Sequence, residues 1–406
     1  MQPKVLDLFA GCGGLSLGLS QAGCEIVAAV EIDQWAADTY RRNHLGVEVI
    51  QADIRSLDSG YLRERFKGGV DLIAGGPPCQ GFSVSGKRQY GHIKEQNNLV
   101  EEFIRVVEAV EPKVVLIENV SGFRTGHIKP GNPVMSYLKV ELNRLGYEFD
   151  ARVLQATEYG VPSLRRRIFV VGSRIGFPSS PFPIATHSAE ATISAEPFIS
   201  TWDAISDLPS LRASEGVDEF VPYAHEPAND YQREIRAQSS GVANHIAMKH
   251  TPRLVERFTA LPQGSKGYDL GRTAGRDGEG PVTIYKSNNQ RLIACEPSLC
   301  ITANFQSTYV HPFQPRNLTA REAARLMSYP DTYYFCGKRT QMSSGFLKKY
   351  GREHEDFLSQ YNQIGNSVPP RLGRAIGLQL RSLLSFPETQ DQDRRFTALP
   401  LIEESA

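Results

Sequence analysis

Val5-Leu6-Asp7-Leu8-Phe9-Ala10-Gly11-Cys12-Gly13-Gly14 opens the chain on an apolar run that stops at a glycine-rich turn. Residues 5–9 read as a buried strand. The turn before the amphipathic stretch 15–22 lets a ligand approach the backbone; a plain tight turn is the simpler alternative. Outward from there the pattern repeats. Residues 26–30, 47–50, 70–74 and 114–117 are further apolar runs, interleaved with helix-like stretches at 35–43 and 99–110. Strands alternating with helices predict an α/β fold built on a doubly wound, mostly parallel sheet. Two more strands, 152–154 and 168–171, flank the turn Tyr159-Gly160-Val161-Pro162 and are expected to be antiparallel to each other.

The 406 residues suit one large domain and a smaller one. After about residue 175 prolines crowd together, periodicity weakens, and a second, loop-rich domain is expected at 176–300. Residues 1–175 with 301–385 would form the first domain, and 386–406 a polar, acidic tail. Thr319 and Glu322 make a capping box before a helix, with Leu318 and Ala323 as its staple and Pro330 as its end. The amphipathic stretch 372–384 predicts a last helix. Formal net charge is zero, so overall charge does not point to a polyanion. Residues 176–300 carry more acidic than basic side chains, so any grip on a polyanion there rests on particular residues. No apolar run approaches the ~18–20 residues that span a bilayer. With no signal-peptide pattern, a cytoplasmic location without membrane contact is expected. The six cysteines form no paired CxxC, so no metal site is expected.

Glu31 closes the second strand, where a carboxylate can accept hydrogen bonds from two ribose hydroxyls. Ser16 stands where the dinucleotide fingerprint needs its third glycine, which favours a nucleoside without a pyrophosphate. Asp53, after the third strand, could reach an adenine amino group or simply cap its loop. The fourth strand delivers Gly75-Gly76-Pro77-Pro78-Cys79-Gln80-Gly81-Phe82-Ser83. A thiol at that strand end sits in the ligand crevice, although an inert buried Cys is the default. At pH 7.5 about a tenth of an ordinary thiol is ionised; a pKa of ~7 would raise that to roughly three quarters. The fifth strand ends in Glu118-Asn119-Val120, where desolvation can keep a carboxyl protonated, or the Glu caps a loop. In Ser163-Leu164-Arg165-Arg166-Arg167, alternation puts Arg165 and Arg167 on one face, aimed at the crevice. A solvated charge run is the alternative there, and plain capping is the alternative for Gly365-Asn366-Ser367-Val368.

Phe9-Ala10-Gly11-Cys12-Gly13-Gly14, Pro78-Cys79-Gln80-Gly81-Phe82-Ser83, Glu118-Asn119-Val120, Arg165 with Arg167, Arg316-Asn317-Leu318-Thr319 with Arg321-Glu322-Ala323-Ala324-Arg325-Leu326, and Gly365-Asn366-Ser367-Val368 are similar, in this order, to the motifs of bacterial DNA cytosine-5 methyltransferases of the restriction-modification type. The resemblance covers about residues 3–175 and 296–380. Trp202-Asp203-Ala204-Ile205-Ser206-Asp207-Leu208-Pro209 resembles the family's entry to a target recognition domain. Ser163 and Met327 replace glutamines usual in the family, and 336–360 is longer than its usual connection. The resemblance implies the S-adenosylmethionine-dependent methyltransferase fold, with that cofactor held by Phe9, Ala10, Gly11, Cys12, Gly14, Glu31, Ile32, Asp53, Ile54, Gly76, Pro78, Leu99, Asn366 and Ser367. It implies that Cys79 attacks C6 of a flipped-out cytosine while protonated Glu118 hydrogen-bonds N3. Arg165, with Arg167, would steady the base oxygen and the thiolate. Double-stranded DNA is the implied partner of a monomer that is nucleoid-associated in a prokaryote. A functional pairing with a restriction endonuclease, without a stable complex, is also implied.

Three rivals share parts of this pattern. A nicotinamide-dependent oxidoreductase would share the sheet but not need Cys79, Glu118 and Arg165 together. A tRNA-methylating branch of the same family usually varies the residues after the nucleophile. A non-enzymatic DNA-binding module would not keep nucleophile, acid and donor pocket. Which bases are read is open among Arg233, Arg236, Asn244, His245, Lys249, Arg253, Arg272, Arg276 and Asn304.

Overall fold

The computed structural model describes residues 2–78, 98–129, 131–270, 288–342 and 344–385. Cys79, Arg272, Arg276 and the tail 386–406 lie outside them. A seven-stranded sheet contains β1 (Lys4–Leu8), β2 (Glu25–Glu31), β3 (Glu48–Gln51), β4 (Leu72–Gly75), β5 (Val114–Val120), β6 (Glu148–Gln155) and β7 (Arg166–Ser173). Their order across the sheet is β3-β2-β1-β4-β5-β7-β6. The first five are mutually parallel. β7 lies antiparallel to both β5 and β6. The expected doubly wound, mostly parallel sheet is therefore what forms, with the predicted antiparallel pair at one edge.

Alternation along the strands explains why helices cover both faces. Leu6, Leu8, Ile73, Val115 and Ile117 pack on one side with Leu62, Phe66, Phe103, Val107, Leu138 and Leu142. These come from α3 (Ser59–Phe66), α4 (Asn98–Val110) and α5 (Val134–Arg144). In α4, Val100, Phe103, Ile104 and Val107 recur at helical spacing and make its buried stripe. Val5, Leu72, Ala74, Val114 and Leu116 face the other way. They meet α1 (Gly14–Gln21) through Leu15 and Leu19, and α10 (Pro370–Leu384) through Leu372, Ile376 and Leu380. On the sheet's β2–β3 side, α2 (Gln34–Asn43) is capped by Asp33, which accepts from Ala36 N at 2.9 Å.

Beyond residue 175, strand pairs between 176 and 300 are only two residues long. Short helices α6 (Thr201–Ile205), α7 (Asp230–Arg236), α8 (Ala320–Leu326) and α9 (Gln360–Asn366) share an apolar cluster that includes Ile205, Tyr231, Ile235, Leu326, Tyr329 and Ile364. The capping box at the start of α8 is present: Thr319 Oγ1 accepts from Glu322 N and Glu322 Oε2 from Thr319 N. The end of α8 corrects the expectation. The helix stops at Leu326 and Ser328 turns through φ +63°, so the break comes before Pro330 is reached. Among the described residues, no helix is long and apolar enough to cross a membrane.

Candidate active site

The sheet sets the place of the site. After β1 the chain winds outward through β2 and β3, then crosses back to β4 and β5 on the other side of β1. Ligand crevices form at such a switch point, beyond the carboxyl ends of the strands. A cavity of about 580 Å³ lies there, within the range of small-ligand sites. Phe9, Ala10, Gly11, Cys12 and Gly14 line it from the turn after β1. Glu31 and Ile32 follow β2, Asp53 and Ile54 follow β3, and Gly76 and Pro78 follow β4. Leu99 comes from α4, and Asn366 with Ser367 from the returning chain. The fourteen residues expected to hold the cofactor thus border one space.

Their local chemistry differs in detail from the expectation. Glu31 is buried, and its two oxygens accept from Gly11 N at 2.7 Å and Asp33 N at 2.8 Å. Each oxygen keeps a lone pair for a further donor. Gly11 has φ +56°, and an added Cβ there would meet nothing within 4 Å, so its open side faces free space. Gly14 is confined instead: a Cβ would stand 2.3 Å from both the Tyr329 hydroxyl and the Val368 carbonyl. Phe9 holds φ +56°, a conformation rare outside glycine that collects at functional sites. Asp53 both lines the cavity and caps its loop, accepting from Arg55 N at 2.9 Å. The Arg55 guanidinium holds its carboxyl below the usual range.

Cavity residues that sequence reasoning missed include Asp7, Asp33, Arg55 and Gln363. Asp7 carried a visible signal, a carboxyl inside an otherwise apolar strand. It is buried, accepts from Ser16 Oγ at 2.6 Å, and Tyr40 OH donates on to Ser16 Oγ at 2.7 Å. Burial pushes the Asp7 carboxyl up to about 7, against the opposing Ser16 hydrogen bond. So the serine that breaks the dinucleotide fingerprint has a structural task. Among the described residues, the space is bordered by the carboxyls of Asp7, Glu31, Asp33, Asp53 and Glu118 and by the cations Arg55 and Arg167. Burial raises the carboxyl pKa of Asp7, Glu31, Asp33 and Glu118, so this lining offers hydrogen-bonding carboxyls and no cluster of cations to cradle a pyrophosphate, which suits a nucleoside. S-adenosylmethionine, a ribonucleoside bearing a sulfonium and an ammonium, fits that donor set.

Glu118 follows the apolar run Val114–Ile117 within β5 and is buried. Burial raises its carboxyl pKa, and the nearby Arg167 and Arg165 guanidiniums offset part of that rise. Arg167 stands directly across from Val120 in the antiparallel β5–β7 register, which places it on the same sheet face as Glu118. Its Nε lies 2.9 Å from Glu118 Oε1. That oxygen has no hydrogen-bond partner of good geometry among the described residues, because the N–H is not aimed at it. It is a buried carboxyl oxygen open to a further hydrogen bond beside a cation. Asn119 Nδ2 donates to Pro77 O at 2.9 Å, tying the strand end to the segment that leads into Cys79.

Arg165, by contrast, is engaged with backbone carbonyls. Ser163 N donates to Val161 O and Arg165 N to Ser163 O, both at 2.7 Å, so tight turns interrupt the pleat before β7 begins at Arg166. Alternation cannot be counted across such turns. Arg165 is buried and donates to the carbonyls of Ile301, Gly365 and Ser367 at 2.8, 3.1 and 2.6 Å, and it does not border the cavity. Three candidate base readers are likewise committed elsewhere. Buried Asn244 donates to Asp218 Oδ1 and Phe335 O, and buried His245 pairs with Thr319 Oγ1 and Pro209 O. Arg236 bonds Asp207 and the His225 carbonyl. Arg233, Lys249, Arg253 and Asn304 are exposed.

The sheet order, with β7 inserted antiparallel beside β5, and the strand-end cavity define the S-adenosylmethionine-dependent methyltransferase fold. The chain belongs to the C-5 cytosine-specific DNA methylase family, whose model matches residues 3–382. It is a DNA (cytosine-5-)-methyltransferase, EC 2.1.1.37. It is 40% identical to the type II methyltransferase M.DdeI of Desulfomicrobium norvegicum, across 92% of this chain and 87% of that protein. It is 33% identical to the type II methyltransferase M1.HphI of Haemophilus parahaemolyticus, across 93% of this chain and 86% of that one. Its fold matches a solved structure described as a DNA modification methyltransferase encoded within an E. coli prophage. The TM-score is 0.70 at 24% identity, covering 94% of this chain and 99% of that chain.

Proposed function

We propose that this enzyme methylates C5 of a cytosine flipped out of a specific duplex sequence, as the modification half of a type II restriction-modification system. The observation that carries the reading is the pairing of Glu118 with Arg167 at the edge of a carboxylate-lined cavity bordered by Pro78, the residue before Cys79. S-adenosylmethionine, bound by Phe9, Glu31, Asp53, Asn366, Ser367 and their neighbours, would supply the electrophilic methyl group. Cytosine C5 is a weak nucleophile, so the ring needs activation. The Cys79 thiolate adds to C6, and protonated Glu118 donates to N3, which makes C5 enamine-like. Arg167, the guanidinium nearest Glu118, steadies the base oxygen, the role the motif alone gave to Arg165. After methylation a water-derived base removes the C5 proton, the C6–S bond breaks and Cys79 is released.

Flipping costs a few kcal/mol, which is the reason for a second domain. Residues 176–300 would grip the duplex, with 1–175 and 301–385 forming the catalytic lobe. The names of the type II relatives support a cognate endonuclease that acts on the same sequence without a stable complex with this monomer. Bisulfite sequencing of DNA from cells expressing the chain should show protected cytosines at one position of one short motif. Cys79→Ser should abolish that protection while S-adenosylmethionine still binds by calorimetry. A fully active serine variant would sink the covalent mechanism. Methyl transfer to tRNA and not to duplex DNA would overturn the substrate.

A further inference from the structure

Arg165 has an unusual situation for a buried cation. No carboxylate among the described residues pairs with it, its Nε has no partner there, and its other nitrogens go to three backbone carbonyls. Two of those carbonyls, Gly365 and Ser367, belong to the carboxyl end of α9. The last carbonyls of a helix lack partners within it and carry the negative end of its dipole. At α9 they are shared out: Gln363 O takes Cys12 Sγ, Ile364 O takes Ser367 Oγ, and Gly365 O takes Arg165. The third carbonyl, Ile301, sits just after the two-residue pairing of Ser298–Leu299 with Ser163–Leu164. Gly365 packs so closely there that a Cβ would stand 2.3 Å from Thr302 C. One guanidinium therefore joins the strand edge at 165 to two segments that return more than a hundred residues later, and between Gly365 and Ser367 lies Asn366 at the cavity wall.

We infer that Arg165 is a positioning residue for the cofactor: by holding the Ile301, Gly365 and Ser367 carbonyls together it sets Asn366 and Ser367 against the cavity. This rests on the assignment of the cavity to S-adenosylmethionine. The effect of losing Arg165 then falls first on cofactor affinity, and only its share of the positive charge near Glu118 reaches the reacting base. The test is calorimetric titration of S-adenosylmethionine into the full chain without DNA, for wild type, Arg165→Met and Arg165→Lys. It is joined to KM and kcat on duplex DNA. Arg165→Met should raise the cofactor Kd and KM about ten- to hundredfold, the worth of roughly one charge-assisted hydrogen bond passed to the pocket. Its kcat at saturating cofactor should fall far less, and Arg165→Lys should recover part of the affinity. An unchanged Kd in Arg165→Met overturns the inference, whatever happens to kcat. If Arg165→Met does not fold, Arg165→Lys decides: a raised Kd with near-normal kcat supports it, and an unchanged Kd overturns it. A wild-type chain that binds no S-adenosylmethionine would instead bring down the cofactor assignment itself.

Discussion

Two arginines separated by one residue, Arg165 and Arg167, look equivalent in sequence and have different surroundings in the fold. The turns at Ser163 and Arg165 break the pleat, so Arg167 meets Glu118 while Arg165 meets carbonyls. For Glu118→Gln we expect methylation slowed by about 10²- to 10⁴-fold with DNA binding retained, because the amide cannot supply the acid's proton. Single-turnover kinetics beside gel-shift affinity would read both. Loss of DNA binding in step with rate would refute the assignment. Asp7 gives a pH prediction. Its carboxyl, ordinarily near 3.8, is pushed to about 7 by burial, so between those values the folded state keeps a proton that the unfolded state has lost. Stability from this group is full below the unfolded value and is lost as pH rises, by up to about 1.4 kcal/mol per pH unit. Asp7→Asn should flatten that part of the pH–stability curve in urea titrations. An unaltered slope would show that Asp7 is ionised in the fold.

At the scale of elements, α1 and α10 pack at glycines. A Cβ on Gly18 would stand 2.5 Å from Pro370 O and 2.6 Å from Arg374 N, both backbone atoms that cannot swing aside. Gly18→Ala should therefore push the two helices apart and cost about 1–3 kcal/mol, although alanine favours a helix. A lower urea midpoint with an unchanged m-value checks it. Because α10 follows Asn366 and Ser367 directly, the same change should weaken cofactor binding.

Across the whole molecule, the halves are joined by buried charge. Arg325 of α8 is wholly buried and pairs with Asp207, which follows α6, and with Asp331 at 2.6 Å. Arg236 reaches the same Asp207 at 2.9 Å. Breaking a buried pair strands its partner at a cost of about 3–5 kcal/mol, and Asp331 holds the loss near the lower end. Asp207→Asn should lower thermal stability accordingly while leaving the β1–β5 cavity chemistry intact. A shift in the melting temperature of less than a degree would mean that this cluster does not hold the segments together.

The sequence by itself determined the sheet, the helices α1, α2, α4 and α10 and the strand ends that carry the cavity, because apolar periodicity and glycine-rich turns are local signals; α3 and α5 emerged only in the fold. Motif order then named Glu118, Asn366 and Ser367, its strand-end position named Glu31, and the cavity brings the four together. Tertiary structure alone decided the rest. Nothing local says that Asn244 and His245 are buried, that α8 ends before Pro330, or that Arg165 faces three carbonyls from chain more than a hundred residues away. Those outcomes depend on which distant groups can satisfy a buried donor, and pairings made across such separations leave no period in the sequence to read.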